Sequence, residues 1–479
     1  MAPAMSQPSL TAAQERQLAE LVAVYPIAME LGERFAAAGY ELYLVGGTVR
    51  DTLLRRTDQP DLDFATSAPP ERTKELLRGW ADHLWLTGVR FGTVSASKDG
   101  WKIEVTTFRA EAYTSGSRHP QVAYGSDVEA DLSRRDFTVN AMAVRVPEPR
   151  FVDPFGGLRD LRDGILRTPV DPERSFADDP LRMVRLARFA AVLGFSPDDA
   201  TRKAATTMAE QLDSVSRERI RDELDRLIVG EHAARGLDLL TETGLAERFL
   251  PELPALRMER DPLHHHKDVY RHTLAVVERC DRSDRILRLA ALLHDIGKPA
   301  TRQFHPDGRV TFHHHEVVGA RMARARLTEL RYPKDEVEAI SQLVLLHLRF
   351  HGYSDGAWTD SAVRRYVRDA GSREQLERLN ALTEADVTTR NRAKRRRFAE
   401  AMADLRARIA RLEAEEELAR IRPPLDGNEI MAYLGLEPGP LVGEARSMLL
   451  EARLEHGPME PEQAYALLDE WARERGLKD

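Results

Sequence analysis

The chain carries a single cysteine, Cys280, in 479 residues. That excludes an intrachain disulfide framework and points to a reducing, cytoplasmic compartment. No stretch approaches the roughly 18 uninterrupted apolar residues that a membrane-spanning helix requires. The first residues, Met1–Gln14, have neither the basic start nor the apolar run of a secretory signal. A membrane role is not expected. Excess positive charge is missing as well: 70 Lys and Arg against 78 Asp and Glu leave a formal −8. A nucleic acid would therefore be held by local basic stripes, because charges beyond about 8 Å are largely screened.

What the chain does have is length and an uneven distribution of histidine. At roughly 150 residues per domain the length predicts about three units. A composition of 42% apolar and 31% charged residues suits an ordinary globular protein. Eleven of the 15 histidines fall between His264 and His351. Such clustering is a metal-site signal.

Strand signals are confined to the first third. Short strands are expected at Tyr43–Val45, Thr93–Ser97 and Lys102–Phe108, between glycines and helices, to about Thr168. From Asp171 onward helical spacing takes over, as in Leu181–Leu193, Ala204–Leu212 and Ile220–Ile228. Arg390–Arg420 is a charged helical segment, basic at its start, and Pro423–Pro424 ends it. No repeat of fixed period is present.

In the first third, Tyr43 to Asp51 reads as a strand, a Gly46-Gly47 turn and a helix. Two glycines let backbone N–H groups approach a phosphate at a helix N-terminus, and Arg50 adds a charged donor one turn in. Asp61-Leu62-Asp63 follows, and strand alternation sets both carboxylates on one side. Same-side acids suit a pair of divalent ions in phosphoryl-type transfer. Glu104 is a candidate third carboxylate. Arg134-Arg135-Asp136-Phe137-Thr138-Val139-Asn140 offers guanidinium groups for phosphate, or else a helix cap with an ion pair.

Further on, Asp179-Pro180 opens a helix, with Arg182 one turn in, so an Asp and an Arg project as neighbours. A carboxylate that accepts from an exocyclic amino group, beside a guanidinium that donates to a ring nitrogen, fits cytosine and adenine. Uracil and guanine present the reverse pattern and leave buried groups unpaired, at about 1–3 kcal/mol each. Arg185 and Arg188 continue at three-residue steps, each drifting by about 60°, and need not share one face.

The order Gly46–Asp51, Asp61–Asp63, Arg134–Ala141 and Asp178–Phe189 resembles the class II tRNA nucleotidyltransferase and bacterial poly(A) polymerase family. The resemblance implies an α+β fold, a polymerase-beta-like head with a small mixed sheet followed by a long all-helical body. It implies Asp61 and Asp63 on Mg²⁺, Gly47 and Arg50 on the triphosphate, and Arg135 on the nucleotide. It further implies Asp179 and Arg182 as base reader, with Arg185 and Arg188 on the nucleotide. Arg109–Pro120 stands in the place of the family's flexible loop, needed for switching from C to A addition. The basic run typical of bacterial poly(A) polymerases is replaced by Thr87–Val94, which is similar to the CCA-adding branch.

The remaining motif, His272, His294-Asp295, His315, His347 and Asp386, is similar to the HD phosphohydrolase superfamily. By that similarity His272, His294, Asp295 and Asp386 ligate one metal, a divalent transition ion or Mg²⁺/Mn²⁺. His315 and His347 would serve a second metal or a phosphate. Glu384 competes with Asp386 for the last place.

The expected organisation is an extension (1–25), a head (26–168), a helical neck (169–250), an HD-type helical domain (251–400) and a C-terminal helical region (401–479). The expected activity is template-independent addition of CCA to tRNA from CTP and ATP, with release of pyrophosphate. A poly(A) polymerase and a metal-dependent phosphohydrolase are the alternatives.

Overall fold

A computed structural model describes residues 12, 26–56, 61–89, 92–110, 123–124, 127–258, 268–307, 309–350, 353, 358–388, 391–416 and 422–478. Most of Arg109–Pro120, together with Arg90 and Phe91 of the Thr87–Val94 run, lies outside these residues. The chain divides into two compact units, Met1–Arg248 and Phe249–Asp479.

The first unit is built on a seven-stranded mixed sheet. Its strands are β1 (Leu42–Val45), β2 (Leu62–Thr66), β3 (His83–Trp85), β4 (Thr93–Lys98), β5 (Trp101–Thr107), β6 (Ala143–Val146) and β7 (Arg150–Val152). The order is β3-β4-β5-β2-β1-β6-β7. The β2–β5 pair is parallel and pairs Asp63 with Glu104, while β1 runs antiparallel to β2 and β6. Every residue of β1 is buried, as a strand covered on both faces requires. Tyr43, Val45, Ala65, Phe108, Val128, Leu132, Ala141 and Ala143 form one core cluster on the sheet. Burying each large apolar side chain of this kind contributes about 1.5–3 kcal/mol. Because side chains alternate along a strand, Asp63 shares the sheet face of Ala65.

After the sheet the unit is helical, with α1 (Pro172–Asp178), α2 (Leu181–Leu193), α3 (Asp199–Thr207), α4 (Arg217–Ile228) and α5 (Ala233–Glu242). The run expected at Ala204–Leu212 is broken: α3 ends at Thr207, and a 3₁₀ segment covers Ala209–Ser214. Helix α2 starts one residue later than Pro180 at N1 would place it. Pro180 is the N-cap, and Asp179 closes α1 with an extended backbone.

The second unit is almost entirely helical. Its elements include α6 (Val269–Arg279), α7 (Arg285–Leu293), α8 (His315–Glu329), α9 (Lys334–Leu346), α10 (Asp360–Ala370), α11 (Arg373–Asp386) and α12 (Arg392–Glu416). Three further helices, Gly427–Leu434, Pro440–His456 and Pro461–Glu474, close on a small core around Ile430, Leu449 and Leu468. Cys280 is buried at the end of α6, and burial pushes its thiol up to about 12. No helix among the described residues is long and apolar enough to cross a membrane.

Candidate active site

Strand β1 is followed by Gly46, whose φ of 69° lies in the region that favours glycine. A Cβ there would stand 3.0 Å from Arg135 Nη1, so the bare backbone is what lets Arg135 lie across the turn. Gly47 then opens the helix Gly47–Leu53. Arg50 on that helix is buried. It donates to Asn140 Oδ1 at 2.6 Å and to Asp51 at 2.7 and 2.8 Å, so its guanidinium is fixed.

Asp63 stands at the edge of this turn, its Oδ2 3.8 Å from where a Cβ on Gly46 would sit. Burial pushes Asp63 up to about 6; Arg135 opposes the shift, while Glu104 and Asp61 add to it. Asp61 is anchored through its carbonyl, which accepts from Thr48 Oγ1 at 3.0 Å. Glu104 is exposed on β5, and its oxygens with those of Asp61 and Asp63 do not come as close together as the ligand atoms of the histidine centre. Asp63 is thus a half-buried carboxyl crowded by two other acids, whose charge a divalent cation would offset.

Beside these acids lies a cleft of about 430 Å³. Of the expected residues, it is lined by Gly47, Arg50, Asp63, Arg135, Asp179, Arg182, Arg185 and Arg188. Asp61 and Glu104 are not among its lining. Arg134 and Arg135 pair with buried Asp131. Asp136 accepts from Asn140 Nδ2 at 2.8 Å and from Arg185 Nε at 2.9 Å. Burial alone would raise the Asp136 carboxyl, but Arg185 and Asn140 outweigh it and bring it to about 2. The run thus forms ion pairs with Asp131, and its Arg135, Asp136 and Asn140 line the cleft.

Arg185 and Arg188 do meet on a common partner despite their angular drift. Arg185 Nη1 reaches Glu223 Oε1 at 3.2 Å and Arg188 Nε reaches Oε2 at 2.5 Å. Burial lowers Arg188 to about 10, against the pull of Glu223. Phe189 lies under both guanidinium groups, at 3.9 Å from Arg188 and 5.7 Å from Arg185.

Asp179 and Arg182 stand in the same cleft but do not pair with each other. Arg182 donates to Ser175 Oγ at 2.8 Å, to the Ser175 carbonyl at 3.1 Å and to the Arg134 carbonyl at 2.5 Å. Asp179 accepts from the Leu181 N–H at 3.3 Å and from Arg219 Nη2 at 3.0 and 3.2 Å. Sequence reasoning missed Arg219, Glu223 and Arg226, although their spacing places them on one face of α4. Without the fold, that face looks like a solvated charge stripe.

In the second unit six expected side chains converge. His272 Nε2 is 2.8 Å from Asp386 Oδ1 and 3.7 Å from Asp295. His294 Nε2 is 3.2 Å from Asp295 Oδ2, and His315 Nε2 is 3.4 Å from Asp295 Oδ1. The rings of His294 and His347, and of His315 and His347, are 5.3 Å apart. Two groups of ligand atoms, His272-His294-Asp295 and Asp295-His315-His347, share Asp295. Glu384 instead pairs with Arg406.

The outer nitrogens explain the orientation. Nδ1 of His294, His315 and His347 each faces a backbone carbonyl three residues back, at 2.7–2.8 Å, and His272 Nδ1 faces Thr388. Each carbonyl, as an acceptor only, fixes the tautomer of His294, His315 and His347 with a bare Nε2 inward. Nε2 of His294, His315 and His347 is buried without a hydrogen bond of good geometry. Buried lone pairs left this way fit a metal centre. Burial drives His347 down to about 3, with His294 adding to the shift. Lys298, unassigned from the sequence, bonds Asp295 at 2.6 Å.

A sheet-bound acid pair beside a glycine turn and an arginine-lined cleft defines a nucleotidyltransferase of the polymerase-head class. The chain matches the Poly A polymerase head domain over residues 42–167. It also matches the probable RNA and SrmB-binding site of polymerase A over 194–256 and the HD domain over 263–391. It is 36% identical to the A-adding tRNA nucleotidyltransferase of Deinococcus radiodurans, over 90% of this chain and 95% of that one. It is 33% identical to the CC-adding tRNA nucleotidyltransferase of Thermus thermophilus, over 90% and 94%. Among solved structures it is similar to the Bacillus stearothermophilus CCA-adding enzyme in complex with CTP. That match has a TM-score of 0.69 and 28% identity over 94% of this chain and 98% of that one. The chain belongs to the tRNA nucleotidyltransferase family.

Proposed function

We propose that this enzyme adds CCA to the 3′ end of tRNA from CTP and ATP, without a nucleic-acid template. The observation that carries the reading is the unspent bonding capacity of Asp179 and Arg182. Asp179 Oδ2 accepts one bond, from Arg219, and retains a lone pair. Arg182 uses three of its five N–H groups on Ser175 and Arg134. One acceptor beside spare donors is the complement of the amino-and-ring-nitrogen edge that C and A share.

The rest of the cleft suits the other end of the nucleotide. Gly47 leaves room at a helix N-terminus for triphosphate oxygens, and Arg50 and Arg135 supply positive charge beside it. Arg185 and Arg188, held by Asp136 and Glu223, keep that wall rigid. Asp61 and Asp63 are the proposed holders of Mg²⁺, and Glu104 is the third carboxylate. Mg²⁺ bound there would lower the pKa of the attacking hydroxyl and offset charge on the leaving pyrophosphate. The tRNA 3′ oxygen bonds to the α-phosphorus, its proton passes to a carboxylate, and the bond to the β-phosphate oxygen breaks. A cytoplasmic setting suits a single buried cysteine.

The test is Asp61→Ala. Incorporation of both nucleotides should fall by about a thousandfold or more, with tRNA binding near wild type. Unchanged incorporation ends the proposal. A second reading, metal-dependent phosphoester hydrolysis in the second unit, is favoured by the three buried, unbonded Nε2 atoms around Asp295.

A further inference from the structure

Asp179 and Arg182 are opposite charges three residues apart, Asp179 extended at the end of α1 and Arg182 in the first turn of α2, near enough along the chain for their side chains to pair. If they paired, each would satisfy the other and the edge offered to a base would close. They are held apart. Arg182 is turned away by two backbone carbonyls and the Ser175 hydroxyl. Asp179 is held by Arg219, whose Nη2 straddles both carboxylate oxygens at 3.0 and 3.2 Å.

Arg219 belongs to α4, forty residues further along the chain, so its grip depends on how α4 docks. The same face of α4 carries Glu223, which binds Arg185 and Arg188, and Arg226, which lines the cleft. Glu223 is buried and fixes the helix against α2. Arg219, with its side chain 53% exposed, is the member that reaches Asp179.

We propose that Arg219 is a positioning residue for base selection, which keeps Asp179 from collapsing onto Arg182 and so holds the base-reading edge open. The proposal rests on the reading of Asp179 and Arg182 as the base reader. Without Arg219, Arg182, three residues along the chain, is left as a guanidinium to which Asp179 can turn. The enzyme then loses both apparent affinity for the right bases and rejection of the wrong ones. The chemistry of nucleotide transfer is untouched, because Arg219 reaches neither the head acids nor the Gly46-Gly47 turn.

The test uses the full chain, Mg²⁺ and tRNA lacking its last three nucleotides. Single-nucleotide incorporation is timed with CTP, ATP, UTP and GTP for wild type, Arg219→Ala, Arg219→Lys and Asp179→Ala. Arg219→Ala should raise KM for CTP about tenfold with kcat changed far less, and should narrow the CTP-over-UTP preference about tenfold. Arg219→Lys should recover part of both, because one nitrogen makes both contacts. The melting midpoint of Arg219→Ala should match wild type, which separates positioning from a folding defect. If Arg219→Ala discriminates like wild type while Asp179→Ala does not, the proposal is overturned and the base reader stands. If Asp179→Ala also discriminates like wild type, the base reader itself fails and the proposal falls with it.

Discussion

Asp63, one of the two proposed Mg²⁺ holders of the head, also carries a cost in stability in its carboxyl group. Its proton affinity is raised because burial removes water from the ion and Glu104 and Asp61 repel it, beyond what Arg135 restores. A carboxyl raised to about 6 in the folded chain but ordinary in the unfolded one destabilises the fold wherever it is ionised. That penalty is full above pH 6, shrinks as pH falls from about 6 towards 4, and is absent below both values. Metal-free Asp63→Asn should therefore be more stable than wild type at pH 7, by about 1–3 kcal/mol in urea unfolding, and the gain should shrink by more than half at pH 4.5. A gain independent of pH would show that packing, not charge, is responsible.

The acids, the arginines and the six candidate ligands of the second unit were legible in the sequence because their motifs are short and ordered. Their partners were not. Glu223 and Arg219 act on residues up to forty positions away, and nothing local marks an exposed-looking charge as one that binds across the fold.

At the scale of elements, each chemical group depends on a close approach. Gly297 follows His294-Asp295, and a Cβ there would stand 2.1 Å from the His315 carbonyl and 2.7 Å from the Gly319 N–H. The turn after α7 thus packs directly against the first turns of α8, which is how His315 and Asp295 come within 3.4 Å. Gly297→Ala should push α8 away, destabilise the second unit by about 1–3 kcal/mol and weaken metal binding there. Calorimetric metal titration of the folded variant would measure this, and wild-type affinity would contradict the account.

Periodicity reported most elements: Leu181–Leu193 is the observed α2, and the three expected strands sit within a residue of their places. It failed at Met208, where the apolar spacing continues but the backbone tightens into a 3₁₀ segment. It failed again at Pro180, where proline serves as the cap because Asp179 is held extended by the end of α1.

At the scale of the molecule, two compact units each hold their own constellation of charged and metal-binding groups. The cleft lies wholly in Met1–Arg248 and the histidine centre wholly in Phe249–Asp479. Replacing His294 and Asp295 by alanine together should therefore leave nucleotide addition to tRNA within about twofold of wild type, while abolishing metal binding in the second unit. Loss of nucleotide addition in a folded double variant would mean that the histidine centre carries the main activity.

The central claim is tested most directly by product length. Purified enzyme, Mg²⁺ and tRNA lacking its last three nucleotides are incubated with each nucleotide singly and in pairs. CTP alone should extend the tRNA by two residues and CTP with ATP by three, with nothing further added and UTP and GTP refused. A run of adenosines, a product that stops after CC with ATP present, or a single A added only to tRNA already ending in CC would contradict it.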